Sequence, residues 1–306
     1  MILAAGLTPA WQQIIVVDGL HVGEVHRARE VHWCASGKVV NVGVALQRLG
    51  ASPIVLASRG GETGGSMDRD LSDLGVRCRW VMVSRPTRVC TTVLEASSGV
   101  ATELVENGPP VSPEEVASFL RAYEETVTDA RGVVLTGSLP TGAPRSFYRE
   151  LLSRTRCRVV LDVRGPELLE ALPLKPFLVK PNREELGSTL GRKLEGDAEL
   201  REAIEEIRRL GAEWVAVSQG RGALWLNGPD GLRSFLPPRV RALNPIGCGD
   251  VFAAAVAWGT SEGMDVPAAV RFAMGAAAQN ATTLLPSRVD AGTARHLAEE
   301  VVEVVA

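Results

Sequence analysis

The chain has 306 residues, 45% of them apolar and 23% charged, a balance that supports a sizeable core and excludes wholesale disorder. A formal charge of −3 leaves no basic footprint for nucleic acid, and five cysteines with no CxxC pair argue against a disulfide framework or a closed zinc site. No apolar run approaches the ~18 residues of a membrane span, and MILAAGLTPAWQQ lacks the basic start of a secretory signal, so a cytoplasmic protein is expected.

In chain order, IIVV at 14–17 predicts a buried strand, and 22–33 interleaves polar and apolar residues as a half-exposed strand does. PIVLA at 53–57 predicts another buried strand. In SRGGETGGS at 58–66, the paired glycines predict either a close backbone approach or a plain turn. Residues 87–105 repeat the half-exposed pattern. An amphipathic helix follows over 112–128, opened by Ser112, Pro113 and Glu115 in capping order. GVVLTG at 132–137, RVVLD at 158–162, FLVK at 177–180 and WVAVS at 214–218 predict buried strands, with helices over 144–155 and 197–210. This alternation implies an α/β fold, a mostly parallel sheet with helices on both faces. The two half-exposed stretches are expected to pair as a small sheet over a ligand site, the alternative being an edge extension of the main sheet.

Chemistry concentrates at strand ends. In NPIGCGDVFAAAVAWG at 244–259, Gly247, Cys248, Gly249 and Asp250 lead into an Ala-rich helix. Free backbone N–H groups and the positive helix end converge there, giving an anion site with a carboxylate beside it; the plain alternative is an N-cap. Lys180, Asn182 and Glu185 in KPNREEL follow one predicted strand, and Ser218, Gly220 and Gly222 in SQGRGA follow the next, at the sheet edge where open α/β sheets bind ligands. His21, His26 and His32 lack the further ligands that a metal site needs.

Together with ASGKVVNVG at 35–43, TGSLPTGAP at 136–144 and LDVRG at 161–165, these motifs resemble the PfkB, or ribokinase-like, carbohydrate kinases over almost the whole chain. LTPA at 7–10, GEVHRA at 23–28, PTRV at 86–89 and TELVENGPP at 102–110 look most like the branch containing 1-phosphofructokinase and tagatose-6-phosphate kinase. The resemblance implies one kinase domain over 1–306, with a three-layer α/β/α core and a β lid from about 10–34 and 86–106.

It also implies roles for single residues. Asp250 would be the general base, and the N–H groups of Gly247, Cys248 and Gly249 the hole for the transferring phosphoryl group. Lys180, Ser218, Gly220, Gly222 and Asn280 would border ATP, while Asn182 and Glu185 would organise Mg²⁺, through water. Gln12, Gly37, Lys38, Asn41 and Ser138 would face the sugar, with Lys38 and Arg88 as a cationic pair reading a phosphate on it. A ketohexose phosphate is therefore the expected acceptor. An unphosphorylated sugar or nucleoside is the alternative, and a non-catalytic sugar- or nucleotide-binding protein a third reading. A homodimer through the lid is a further expectation.

This chain departs from the family at the acceptor end. Thr8, Pro9 and Gln12 replace a usual Asn, Pro and Asp, and Ser36-Gly37-Lys38-Val39 replaces GGKG. Side chains thereby enter two positions that normally permit close backbone approach.

Overall fold

The computed structural model describes residues 1–304. Its elements begin with β1 (Ile2–Gly6), β2 (Ala10–Val17), β3 (Glu30–Ser36), α1 (Lys38–Arg48), β4 (Pro53–Arg59), α2 (Gly61–Asp73), β5 (Arg77–Met82), β6 (Val89–Glu95) and β7 (Ala101–Val105). The middle of the chain forms α3 (Pro113–Val127), β8 (Gly132–Thr136), α4 (Phe147–Ser153), β9 (Arg158–Asp162), α5 (Pro166–Ala171), β10 (Leu178–Val179), α6 (Arg183–Thr189) and α7 (Asp197–Leu210). It closes with β11 (Trp214–Val217), β12 (Leu224–Gly228), β13 (Gly231–Leu236), α8 (Cys248–Ser261), α9 (Val266–Ala281), α10 (Ala291–Glu299) and β14 (Val302–Val304).

Ten strands make the main sheet, in the order β14-β13-β12-β11-β10-β9-β8-β1-β4-β5. From β11 to β5 every neighbour is parallel; β12, β13 and β14 extend one edge antiparallel. Alternation along β1 shows how both faces are covered. Ile2 and Ala4 join the core beneath α1, α8 and α9, whereas Leu3 and Ala5 join the core beneath α3, α4 and α7. A strand buried on both faces needs no polar residue, and β8, GVVLT, has none exposed. The α/β expectation therefore holds. The Ala-rich α8 is buried almost all round, and its small side chains let it lie close against β8, β9, α1 and α9.

The second sheet has the order β3-β2-β6-β7. Each half is an antiparallel strand pair, and the two halves meet through the parallel pairing of β2 with β6. It is separate from the main sheet, not an edge extension of it.

Three local readings change. The IIVV run, expected as a buried strand, lies in β2 of the small sheet, within the 10–34 stretch that the resemblance gave to the lid: Ile14 is buried, but Ile15 and Val16 are only half-buried, on opposite faces of a thin sheet. The first main strand is instead Ile2–Gly6, whose small Ala residues mute the strand signal. Within 22–33, strand begins only at Glu30. The glycines of SRGGETGGS open α2 rather than a turn, although the close approach is real: a Cβ on Gly60 would stand 2.0 Å from the Arg85 carbonyl oxygen.

Candidate active site

The carboxyl ends of β1, β8, β9 and β10 meet the N-termini of α1 and α8. Gly6 lets β1 pass beside β8 there, since a Cβ would lie 2.1 Å from the Thr136 carbonyl oxygen. Gly247, left-handed at φ 79°, is the N-cap of α8 and turns the chain so that Asp250 falls in the helix's first turn. Among the described residues the Gly247 and Gly249 N–H groups have no internal acceptor, and Cys248 N–H makes only a long contact, 3.4 Å, to the Pro245 carbonyl. These are the donors that a helix start leaves for an anion.

Asp250 is buried, and its Oδ2 accepts from Asn41 Nδ2 at 2.7 Å. Burial pushes its carboxyl up to about 6; the charge of Lys38 opposes the rise and that of Asp162 reinforces it. The amide of Asn41 is itself oriented, because Ser36 Oγ donates to its Oδ1 at 3.1 Å. Ser36 thus has a use that the usual glycine lacks: it fixes which end of Asn41 meets Asp250. Val39 lies in the core, and neither residue has a positive φ, so neither substitution strains the backbone.

A charge cluster lies beside Asp250. Lys38 Nζ stands 3.3 Å from Asp162 Oδ2 and 3.7 Å from Glu185 Oε1, and Lys180 Nζ stands 3.4 Å from Asp162 Oδ1. Burial works to lower the Lys38 ammonium, but Asp162, Asp250 and Glu185 together hold it above the usual lysine value. Burial likewise works to raise Asp162, yet Lys180, Lys38 and the hydroxyl of Thr136 keep it below the usual carboxylate range. Asp162 was not among the expected site residues. Its signal was available, as the one acidic residue closing the otherwise apolar strand VVLD. Gly249 makes room for Lys180, whose Nζ would lie 3.1 Å from a Cβ at that position.

Asn182, expected beside the nucleotide, caps α6: its Oδ1 accepts from Glu185 N at 2.7 Å, while Glu185 Oε2 accepts from Asn182 N at 3.0 Å. The NxxE spacing is therefore a capping box, with Glu185 Oε1 left facing Lys38 and the site. A single free carboxylate oxygen fits Mg²⁺ held chiefly by water and phosphate oxygens. No group of three His, Cys, Asp or Glu among the described residues forms a protein cage for a metal. Ser218 lies beside Asn182 in a parallel bridge, and Gly220 turns left-handed at φ 59° with Gly222 just beyond it.

The acceptor side differs from expectation. Lys38 and Arg88 do not form a pair. Arg88 donates to three backbone carbonyls, Thr8 at 3.1 Å, Pro9 at 3.3 Å and Glu106 at 2.8 Å, and so ties the start of β2 to the end of the lid, while Lys38 lies with the acids. Gln12 commits its amide N–H₂ to Thr92 Oγ1 at 2.8 Å and to the Gln13 carbonyl at 3.2 Å. Gly37, left-handed at φ 88°, lies where a Cβ would come within 2.9 Å of Ala10 N. Ser138 is exposed at the sheet edge, its carbonyl accepting from Thr8 Oγ1 at 3.0 Å. Asn280, expected beside the nucleotide, is fully buried, with its amide bonded to Ile246 O, Cys248 Sγ and Ser287 N. With no exposed surface and both ends of its amide engaged, Asn280 presents no free polar atom to a nucleotide in this structure.

Unpaired N–H groups at a helix start, an adjacent raised carboxylate and a lysine-lined strand edge are the parts that phosphoryl transfer uses, and here they lie together on a ribokinase-like α/β core. The profile of the pfkB family carbohydrate kinases matches residues 2–288, and the chain belongs to that family. It is a phosphotransferase with an alcohol group as acceptor and ATP as co-substrate. Among solved structures it is similar to a possible 1-phosphofructokinase from Thermotoga maritima (TM-score 0.92, 21% identity, covering 99% of this chain and 98% of that one). Escherichia coli phosphofructokinase-2 in complex with fructose-6-phosphate superimposes with TM-score 0.87 at 26% identity, covering 97% and 98%. Arabidopsis thaliana ribokinase complexed with ribose and ATP gives TM-score 0.75 at 21% identity, with the same coverage.

Proposed function

We propose that this enzyme transfers the γ-phosphoryl group of ATP to a hydroxyl of a ketohexose phosphate of the fructose 1-phosphate or tagatose 6-phosphate type. The observation that carries the reading is Asp250, buried at the start of α8, held by Asn41 and pushed up to about 6. A carboxylate so tuned accepts a proton near neutral pH, and that role contributes roughly 10²–10⁴ in rate. Asp250 takes the proton of the acceptor hydroxyl as its oxygen attacks the γ-phosphorus. The N–H groups of Gly247, Cys248 and Gly249 hold the transferring oxygens, Lys180 and Lys38 offset their charge, and ADP leaves. Glu185, its carboxylate placed by Asn182, would hold Mg²⁺ through water, and the ion would supply charge neutralisation to the ATP phosphates. Ser218, Gly220 and Gly222 line the nucleotide side.

One observation favours the second reading, an unphosphorylated acceptor: Arg88 already donates to three carbonyls, and Lys38 already faces acids. ATP turnover with Mg²⁺ against ketohexose phosphates and free sugars, with Asp250→Asn as the blank, separates the readings. Turnover of one phosphorylated ketohexose supports the first reading and turnover of free sugars alone the second. ATP binding without turnover points to a non-catalytic protein.

The outer lid face, where Val31, Trp33 and Leu104 are exposed and Trp11 stacks on Trp33 with centroids 5.9 Å apart, suits a lid-to-lid homodimer. Among the described residues no helix is long and apolar enough to cross a membrane, in keeping with a cytoplasmic enzyme.

A further inference from the structure

Two turns of left-handed backbone meet behind the anion hole. One is Gly247 at φ 79°; the other is Ser287 at φ 64°, a non-glycine residue that is fully buried. They are close neighbours, since a Cβ on Gly247 would lie 3.5 Å from Ser287 Oγ. Non-glycine residues hold this conformation only where their surroundings over-determine it, and such positions gather at functional sites.

The side chain that holds both turns is Asn280, the next-to-last residue of α9. Its Nδ2 donates to the Ile246 carbonyl at 2.8 Å and contacts Cys248 Sγ at 3.3 Å, so it grips the residues on either side of Gly247. Its Oδ1 accepts from Ser287 N at 2.6 Å. Asn244 secures the outer side of the same loop, donating from Nδ2 to Leu284 O at 2.8 Å and accepting from Ile246 N at 3.0 Å. All these contacts are internal, and none of them touches the volume in front of the hole. A buried amide with both donors and its acceptor engaged is the most directional fixing that a neutral side chain supplies.

We propose that Asn280 is a positioning residue for phosphoryl transfer: its amide locks Ile246, Cys248 and Ser287 together so that the Gly247–Gly249 N–H groups stay aimed at the transferring group. The inference rests on the anion-hole reading given above. Donors of this kind act in the transition state far more than on bound substrate, so loosening them lowers kcat and spares KM. A nucleotide contact at Asn280 would do the reverse and raise KM for ATP.

The test is steady-state kinetics of Asn280→Ala, normalised to active sites counted by ATP-binding stoichiometry so that lost folding does not count as lost rate. The expected result is a kcat lowered by ~10- to 100-fold with KM for ATP and acceptor within threefold. A kcat within threefold of wild type, or a raised KM for ATP at unchanged kcat, overturns the proposal. If the alanine variant does not fold, Asn280→Asp carries the test. It keeps the shape and the acceptor for Ser287 N, and it donates to Ile246 O only while protonated. Its kcat relative to wild type at the same pH should be lowered by ~10-fold at pH 9 with KM for ATP within threefold, and a ratio within threefold of one there overturns the proposal. Asp250→Asn run in parallel separates the two claims. If Asp250→Asn is inactive and Asn280→Ala is not impaired, only the positioning role fails; if Asp250→Asn is fully active, the underlying function fails first.

Discussion

The phosphoryl-transfer end and the acceptor end of this site are built in opposite ways. The former uses fixed parts of the core: strand ends, the first turns of α1 and α8, and a chain of side-chain bonds from Ser36 through Asn41 to Asp250. The latter uses the lid, a thin sheet assembled from two distant segments through the β2–β6 pairing. Its polar groups are engaged with the lid itself, as Arg88 is with three carbonyls and Gln12 with Thr92. In such an arrangement the strand-end groups are fixed by the core, whereas the position of the lid groups depends on the pairing of the two lid segments.

Substitutions at the two ends should therefore separate by size and by kinetic parameter. Asp250→Asn is expected to lower kcat by ~10²–10⁴ with ATP affinity within threefold, checked by steady-state kinetics and nucleotide titration. Asn41→Leu removes the bond to Asp250 without removing the base, so kcat should fall by ~10-fold, and the acid limb of the rate profile should move to higher pH because that bond favours the ionised carboxylate. Arg88→Ala releases the carbonyls of Thr8, Pro9 and Glu106 and so loosens the lid, raising KM for the acceptor by ~10-fold with KM for ATP unchanged, checked by steady-state kinetics. Trp33→Asp, on the outer lid face, should leave kcat near wild type and shift sedimentation toward monomer.

Stability gives a further contrast. The Asp250 carboxyl, at about 6 in the folded chain, lies above the ~3.9 of an unfolded aspartate, so the folded state binds its proton more tightly. That group consequently lowers stability as pH rises from about 4 to 6, and the loss persists above that range. Asp250→Asn should melt higher than wild type at pH 8, with the gap closing toward pH 4. Asp162 runs the other way: held below its ordinary range by Lys180 and Lys38, it contributes stability at neutral pH that is lost as acid protonates it.

Much of the phosphoryl end was legible in the sequence because it is local. GCGD, KPNREEL and SQGRGA each lie within a single strand-to-helix or strand-to-turn connection, so neighbours in sequence are neighbours in the site. Asp162 escaped because its meaning depends on Lys38, 124 residues away. Arg88 and Asn280 were legible as polar residues near a ligand, but not as side chains already bonded inside the protein. The IIVV run misled on burial alone: four consecutive apolar residues predict burial on two faces, whereas Ile15 and Val16 are half-buried in the thin sheet that the β2–β6 pairing closes, within the stretch the resemblance had given to the lid.

Titration of Asp250 itself tests the central claim most directly and needs no knowledge of the acceptor. Carboxyl ¹³C NMR of aspartate-labelled protein, with Asp250→Asn to assign the resonance, should show that group titrating near 6, because its burial outweighs the bond from Asn41 and the charge of Lys38. An Asp250 resonance that titrates at or below the ordinary ~3.9 of aspartate would contradict a carboxylate tuned to serve as the base.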